Sequence, residues 1–248
     1  MGLTFCVSGF SDLLRRIANN PRYFFMDGIS IEYYSKVIRS LPIMEHSYIT
    51  NRKTWKRQND KSALYKQIND KIFINDEIEI SRKDLFKLKN GDTGVFTFSV
   101  IYWGYPYGMR GKSAEKLTDP DKIEKFLEVV SCLQHDKKAK DFSKVIEMFS
   151  DIDGIGLSTY SKLLHFLNYR VAGYPCLILD LRLIRVFQKK LFTEFHPLSS
   201  IKYETGEKYY QQYLEIMHDA AYKMKTSAAK IEMFLFTFGL NIKLNENL

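Results

Sequence analysis

The chain has 248 residues, 45% of them hydrophobic, with 37 Lys and Arg against 29 Asp and Glu for a formal charge of +8. That length makes one large domain or two lobes sharing a cleft. The basic surplus favours a polyanionic partner, although a merely soluble basic protein carries the same balance. Cys6, Cys132 and Cys176 are too widely spaced for a zinc ribbon or a four-cysteine iron–sulfur site, and their odd number argues against a disulfide framework. No apolar run approaches the ~20 residues of a membrane span. Met1–Cys6 also lacks the basic-then-apolar order of a secretory signal, so the expected location is the reducing cytoplasm, with no membrane contact.

In chain order, Ser11–Asn19 reads as a short helix, with Leu13, Leu14 and Ile17 on one face and Asn20-Pro21 as its end. Ile31–Leu41 is a second helix, capped by Ser30 and stopped near Pro42. Asn51–Lys61 is polar and basic around Trp55, as a solvated face or a DNA backbone contact would be. Lys71–Ser81 alternates in part about Asn75-Asp76 and predicts a small hairpin. Ser81 then caps a helix over Lys83–Leu88. Thr93–Trp103 is strongly apolar, and its length favours a buried helix over a strand.

Gly104–Lys112 is a loop in which Tyr105, Tyr107 and glycines interleave with Arg110 and Lys112. Asp119–Leu133, with Pro120 near its first turn, and Asp141–Phe149 are helices. Asp151–Gly156 is a tight turn that launches a helix over Ser158–Leu167. Asp180–Phe195, Glu207–Lys225 and Ala228–Gly239 complete the set as helices. The expectation is a mainly α protein of two helical lobes with a minor β-hairpin. Residues 1–80 form an N-terminal region without an assigned role, and residues 81–248 form the core around a cleft.

Two features carry chemistry. A helix N-terminus presents unpaired N–H groups and partial positive charge, and glycines let an anion come close to the backbone. Gly154 and Gly156 supply that approach around Ile155, while Ser158 and Thr159 bring hydroxyls to the first turn. Asp180 follows 24 positions after Gly156, at the end of an apolar run and the start of another helix. It is the sole acid between Asp153 and Glu194, and an N-cap role suits it as well as a catalytic one. Arg182, two positions on, is placed to meet a flanking phosphate. Trp103, Tyr105 and Tyr107 have the composition for stacking on an extruded base, and Trp103 equally suits a core.

The pattern Asp153-Gly154-Ile155-Gly156-Leu157-Ser158-Thr159 with Ile178-Leu179-Asp180-Leu181-Arg182 resembles the helix-hairpin-helix DNA glycosylase superfamily. Val100–Tyr105, Ser161–Leu167 and Lys230–Phe236 resemble bacterial proteins of the 8-oxoguanine-glycosylase-like fold group, so the similarity spans roughly residues 80–240. The resemblance implies double-stranded DNA as partner, a monomer, base flipping, and hydrolysis of an N-glycosidic bond with Asp180 stabilising oxocarbenium character on the sugar. Bifunctional members carry a lysine where this chain has Ser158, which implies a monofunctional enzyme that leaves an abasic site. Adenine-specific members share the serine but usually hold an iron–sulfur cluster, which these cysteines cannot build.

Lys162 lies one helical turn after Ser158, at a position that the resemblance to 8-oxoguanine-specific members implies lines the base pocket. It is a pocket residue, a displaced Schiff-base lysine giving lyase activity, or a surface lysine. No cofactor is required, no metal site is expected, and a structural monovalent cation at the hairpin is compatible with the resemblance. The implied substrate is oxidised guanine, in repair, or a hypermodified phage base such as glucosylated hydroxymethylcytosine, in antiviral defence. A non-catalytic helix-hairpin-helix DNA-binding module is the remaining alternative.

Overall fold

The computed structural model describes residues 24–25, 28–56, 62–109, 111 and 113–243. The expected helix over residues 11–19 and the cations Arg57, Lys61, Arg110 and Lys112 lie outside the described residues. The described chain is mainly helical. A two-residue pair, β1 (Phe24–Phe25) and β2 (Gly28–Ile29), precedes a 3-10 turn over Ile31–Tyr34 that runs into α1 (Ser35–Ser40). Next come β3 (Ser47–Asn51), α2 (Arg52–Trp55), α3 (Ala63–Ile72), β4 (Glu77–Ser81), α4 (Arg82–Leu88) and α5 (Thr93–Gly104). After them follow α6 (Ser113–Leu117), α7 (Pro120–His135), β5 (Lys138–Ala139), α8 (Ser143–Phe149) and α9 (Leu157–Phe166). The chain continues through β6 (Arg170–Val171), β7 (Tyr174–Pro175), α10 (Leu181–Gln188), α11 (Gly206–Lys223) and α12 (Ala228–Phe238). No described helix is long and apolar enough to cross a membrane.

Local signals explain most helix starts. The Ser30 hydroxyl accepts from Glu32 N, Ser81 and Asp84 form a reciprocal capping box, and Asp119 caps a helix whose first residue is Pro120. The apolar Thr93–Gly104 segment is helix α5, and every residue from Phe96 to Trp103 is buried. A helix without a polar face must be enclosed on all sides. Here α3, α4, α7, α9 and β3 pack around it. A second packing group joins α10, α11 and α12, and the buried side chains of both groups form one continuous cluster.

Three expectations are corrected. Lys71–Ser81 is not a hairpin. Ile72 closes α3, Phe73 is buried, and β4 pairs antiparallel with β3, from Ser47 against Ser81 to Asn51 against Glu77. Helix α3 carries Tyr65, Ile68 and Ile72 inward at helical spacing, and Ser62 caps it by accepting from Tyr65 N. The basic Asn51–Lys61 stretch is partly structural. Trp55 is buried and stacks on Tyr102 at 4.4 Å, while Arg52 pairs with Asp70 at 3.2 Å. The helix expected over Asp180–Phe195 ends at Gln188, because Lys190 takes a left-handed φ of 52°. A 3-10 turn over Thr193–Leu198 follows.

Candidate active site

Helix α8, a tight turn and helix α9 bring the glycines to the surface of a cleft. Gly154 has φ +87°, and a Cβ there would lie 3.0 Å from Ser113 O and 3.1 Å from Lys116 Cβ, so only glycine fits against α6. Gly156 is the N-cap of α9 and has no side-chain cap, and Thr159 N turns back onto Gly156 O at 2.8 Å, which leaves the Leu157 and Ser158 amides open. Asp151 and Asp153, the two acids of the turn, are paired with Lys125 at 3.1 Å and Lys122 at 2.7 Å. Ser158 is half-buried. Thr159 is buried, and its hydroxyl bonds the Tyr105 hydroxyl at 2.8 Å. This ties Thr159 to Tyr105 at the edge of the cleft.

Asp180 is reached through an extended segment with no strand partner. Cys176 N donates to Tyr169 O at 2.8 Å, and buried side chains hold further backbone groups of the segment. His165 Nδ1 donates to Cys176 O at 2.9 Å, Tyr210 to Leu177 O at 2.6 Å and Tyr213 to Ile178 O at 2.7 Å. Glu232 Oε2 accepts Ile178 N at 2.7 Å, and Ser161 Oγ accepts Leu179 N at 3.2 Å. An unpaired buried amide or carbonyl is costly, so these side chains define the path of the chain. Asp180 then caps α10: Oδ1 accepts Leu183 N at 3.0 Å, while Oδ2 makes no hydrogen bond with any described residue. The cap fixes the orientation of the carboxylate and leaves one oxygen for chemistry.

Asp180 and Arg182 line two adjoining cavities. The first, about 520 Å³, is walled by Gly154, Gly156, Ser158, Thr159, Tyr105 and Arg185. The second, about 450 Å³, is walled by Trp103, Tyr107, Lys162, His46, Arg82 and Glu232. Every candidate residue from the sequence therefore borders one cavity or the other, with the aspartate at their junction.

Their individual environments differ from the expectations. Lys162 is buried, which removes the surface reading. Its Nζ donates to Ser158 O at 2.6 Å and Ser158 Oγ at 3.0 Å and lies 4.9 Å from the Tyr105 ring centre. Gly104 makes room for it, since a Cβ there would stand 2.7 Å from Lys162 Cδ. Burial pushes the Tyr105 phenol up. The Lys162 ammonium and the Ser158 and Thr159 hydroxyls outweigh that, leaving it below its ordinary range. Trp103 is buried with its indole N–H on His46 O at 3.4 Å, and Tyr107 is 83% exposed at the rim. Arg182 donates to Phe236 O and, at 3.4 Å, to Thr237 O, closing the end of α12. The exposed Arg185, one turn further on, presents its charge to the first cavity.

Sequence reasoning missed the floor of the second cavity. Arg82 NH2 donates to Glu232 Oε1 at 2.8 Å, with both side chains at most 3% exposed. Arg82 NH1 reaches His165 Nε2 at 3.3 Å, and its guanidinium lies 5.2 Å over Trp103. His46, wedged edge-on against Tyr48 and Trp103, is pushed down to about 4 by burial and then by Arg82, so it is neutral at physiological pH. The signal for Glu232 was one acid inside the apolar run Ile231–Phe236. Nothing local pointed to Arg82 as its partner.

Comparison with family models matches residues 41–236 to the family described as "Putative 8-oxoguanine DNA glycosylase OGG-like protein". The chain belongs to this family. The matched range contains every site residue named above, and membership in a family of DNA glycosylases implies DNA binding. Comparison with curated proteins and with solved structures finds no match. Among the described residues of this OGG-like chain, no three His, Cys, Asp or Glu side chains cluster in a way that could hold a metal ion.

Proposed function

We propose that the chain is a monofunctional DNA glycosylase that removes a modified base from double-stranded DNA through Asp180. In this reading α8, the Gly154–Gly156 turn and α9 act as a helix-hairpin-helix clamp. A DNA phosphate sits on the open amides of α9, with Arg185 nearby. The target nucleotide swings past Asp180, so its base enters the second cavity and its sugar stays at the junction.

The carrying observation is the free Asp180 Oδ2 where the two cavities meet. A carboxylate there stabilises positive charge on the sugar as the glycosidic bond breaks, and it accepts a proton from the attacking water. Water oxygen bonds to the anomeric carbon. The base leaves with the glycosidic electron pair and takes up a proton. Ser158 stands where an amine nucleophile would, and Lys162 is engaged by Ser158 and Tyr105, which supports hydrolysis over a lyase step.

The substrates this reading admits are an oxidised guanine or a hypermodified base such as glucosylated hydroxymethylcytosine. The test is base release from duplexes carrying each, followed by mass spectrometry. Asp180→Asn preserves the cap and is expected to lower single-turnover release by at least about 100-fold, the scale of a lost electrostatic stabiliser. Undiminished release by Asp180→Asn and Asp180→Ala would sink the reading. Borohydride is expected to trap no protein–DNA adduct. An adduct lost in Lys162→Ala would turn the assignment to a bifunctional enzyme.

A further inference from the structure

The second cavity holds polar groups that the reaction above does not use, and their balance of donors and acceptors is uneven. Glu232 has spent both oxygens, one on Arg82 and one on Ile178 N. Lys162 is engaged by Ser158, and Arg182 by the last carbonyls of α12. Two nitrogens remain: Arg82 Nε and His46 Nδ1 are both buried and have no hydrogen-bond partner. Arg82 is 2% exposed and His46 8%, and both residues line the cavity.

An arginine Nε–H can only donate, and a neutral imidazole offers one donor and one acceptor. A buried donor left unmade costs about 1–3 kcal/mol. The chain holds Arg82 in place with a buried ion pair, a histidine and an indole face, so the orphan sits on a rigidly held residue of the cavity lining. The cavity, about 450 Å³, lies inside the ~300–1,000 Å³ range of sites that enclose ligands larger than a bare base.

The geometry points to Arg82 and His46 as the residues that select the extruded base, by hydrogen-bonding an oxygen acceptor that the modification adds and the unmodified base lacks. This rests on the glycosylase reading. The shared chemistry is an added oxo, hydroxyl or sugar oxygen. It serves an oxidised purine and an oxygen-substituted pyrimidine alike, and the substrate pairs below separate the two. Lys162 and Arg182 add positive potential to the same wall, which suits oxygen lone pairs and disfavours an exocyclic amino group.

The experiment compares duplexes that differ by that oxygen: 8-oxoguanine against guanine, and 5-hydroxymethylcytosine, bare or glucosylated, against 5-methylcytosine. Equilibrium binding is measured with the full-length Asp180→Asn chain, and base release with the otherwise unaltered chain. His46→Phe keeps the ring packing but deletes the nitrogens, His46→Asn restores a polar group near Nδ1, and Arg82→Lys keeps the charge but loses Nε. Circular dichroism and thermal melting check that each variant folds.

One pair is expected to show preferential binding of its oxygenated member. His46→Phe and Arg82→Lys are expected to cut that preference by about 10- to 100-fold, the value of one hydrogen bond to a charged or buried group, and His46→Asn to recover part of it. A preference unchanged in folded His46→Phe and Arg82→Lys, or no preference in either pair, overturns the assignment. If the preference depends on these residues while no duplex loses a base, selection stands and the glycosylase reading falls. If bases are released with the same preference in every variant, the reverse holds.

Discussion

Lys162 is held by two oxygens of the residue one turn before it and covers an aromatic face, so its main local effect is electrostatic. Its ammonium favours the ionised form of Tyr105, whose hydroxyl sits between Ser158 and Thr159. Lys162→Met removes that charge while keeping the length of the side chain. The Tyr105 phenol should then titrate at higher pH, because the phenolate loses its counter-charge while the burial that disfavours it persists. Ultraviolet difference titration against matched Tyr105→Phe variants isolates this one phenol. An unchanged titration would show that the two groups do not interact. In the proposed reaction Asp180 would serve two roles, since the cap uses Oδ1 and leaves Oδ2.

At the scale of elements, the segment from Cys176 to Asp180 is the feature on which the site depends. It exchanges hydrogen bonds with α9, α11 and α12, so three helices fix one extended segment that lies outside any sheet. Tyr213→Phe deletes the bond to Ile178 O and should cost about 1 kcal/mol of stability. As a positioning residue it should also lower the single-turnover rate of base release several-fold with little change in DNA affinity, and the equivalent loss of any remote buried hydroxyl, as in Tyr65→Phe, should leave that rate intact. Glu232→Ala is predicted to be more severe, about 3–5 kcal/mol, because it strands the buried Arg82 charge as well as Ile178 N. Urea denaturation with kinetics on the folded fraction separates the two effects.

For the molecule as a whole, a net charge of +8 favours phosphate contact, and such binding weakens with salt in proportion to the phosphates neutralised. Arg185→Ala should lower the slope of log affinity against log salt by about 1. Arg182→Ala should leave the slope nearly unchanged and lower stability instead, since that guanidinium closes the end of α12. Equal effects of both on the slope would place Arg182 on the phosphate as well.

The sequence by itself determined most of the longer helices and several of their caps, but not α3 or the end of α10, together with the glycine turn and the aspartate at the head of α10. Each rests on hydrogen bonds and apolar spacing within about four residues, as with Ser81 and Asp84 or the inward residues of α5. Tertiary structure decided the rest. The partner of β4 is β3, with α3 between them, and the Arg82–Glu232 pair joins residues 150 positions apart. Arg182, read from the chain as a phosphate ligand, is drawn to two carbonyls of α12 that local sequence cannot bring near. A charged side chain goes where the packed helices leave an uncompensated group, and that is settled only when the core closes. The same closure left Arg82 Nε and His46 Nδ1 unpaired on two residues that line the cavity beside Asp180.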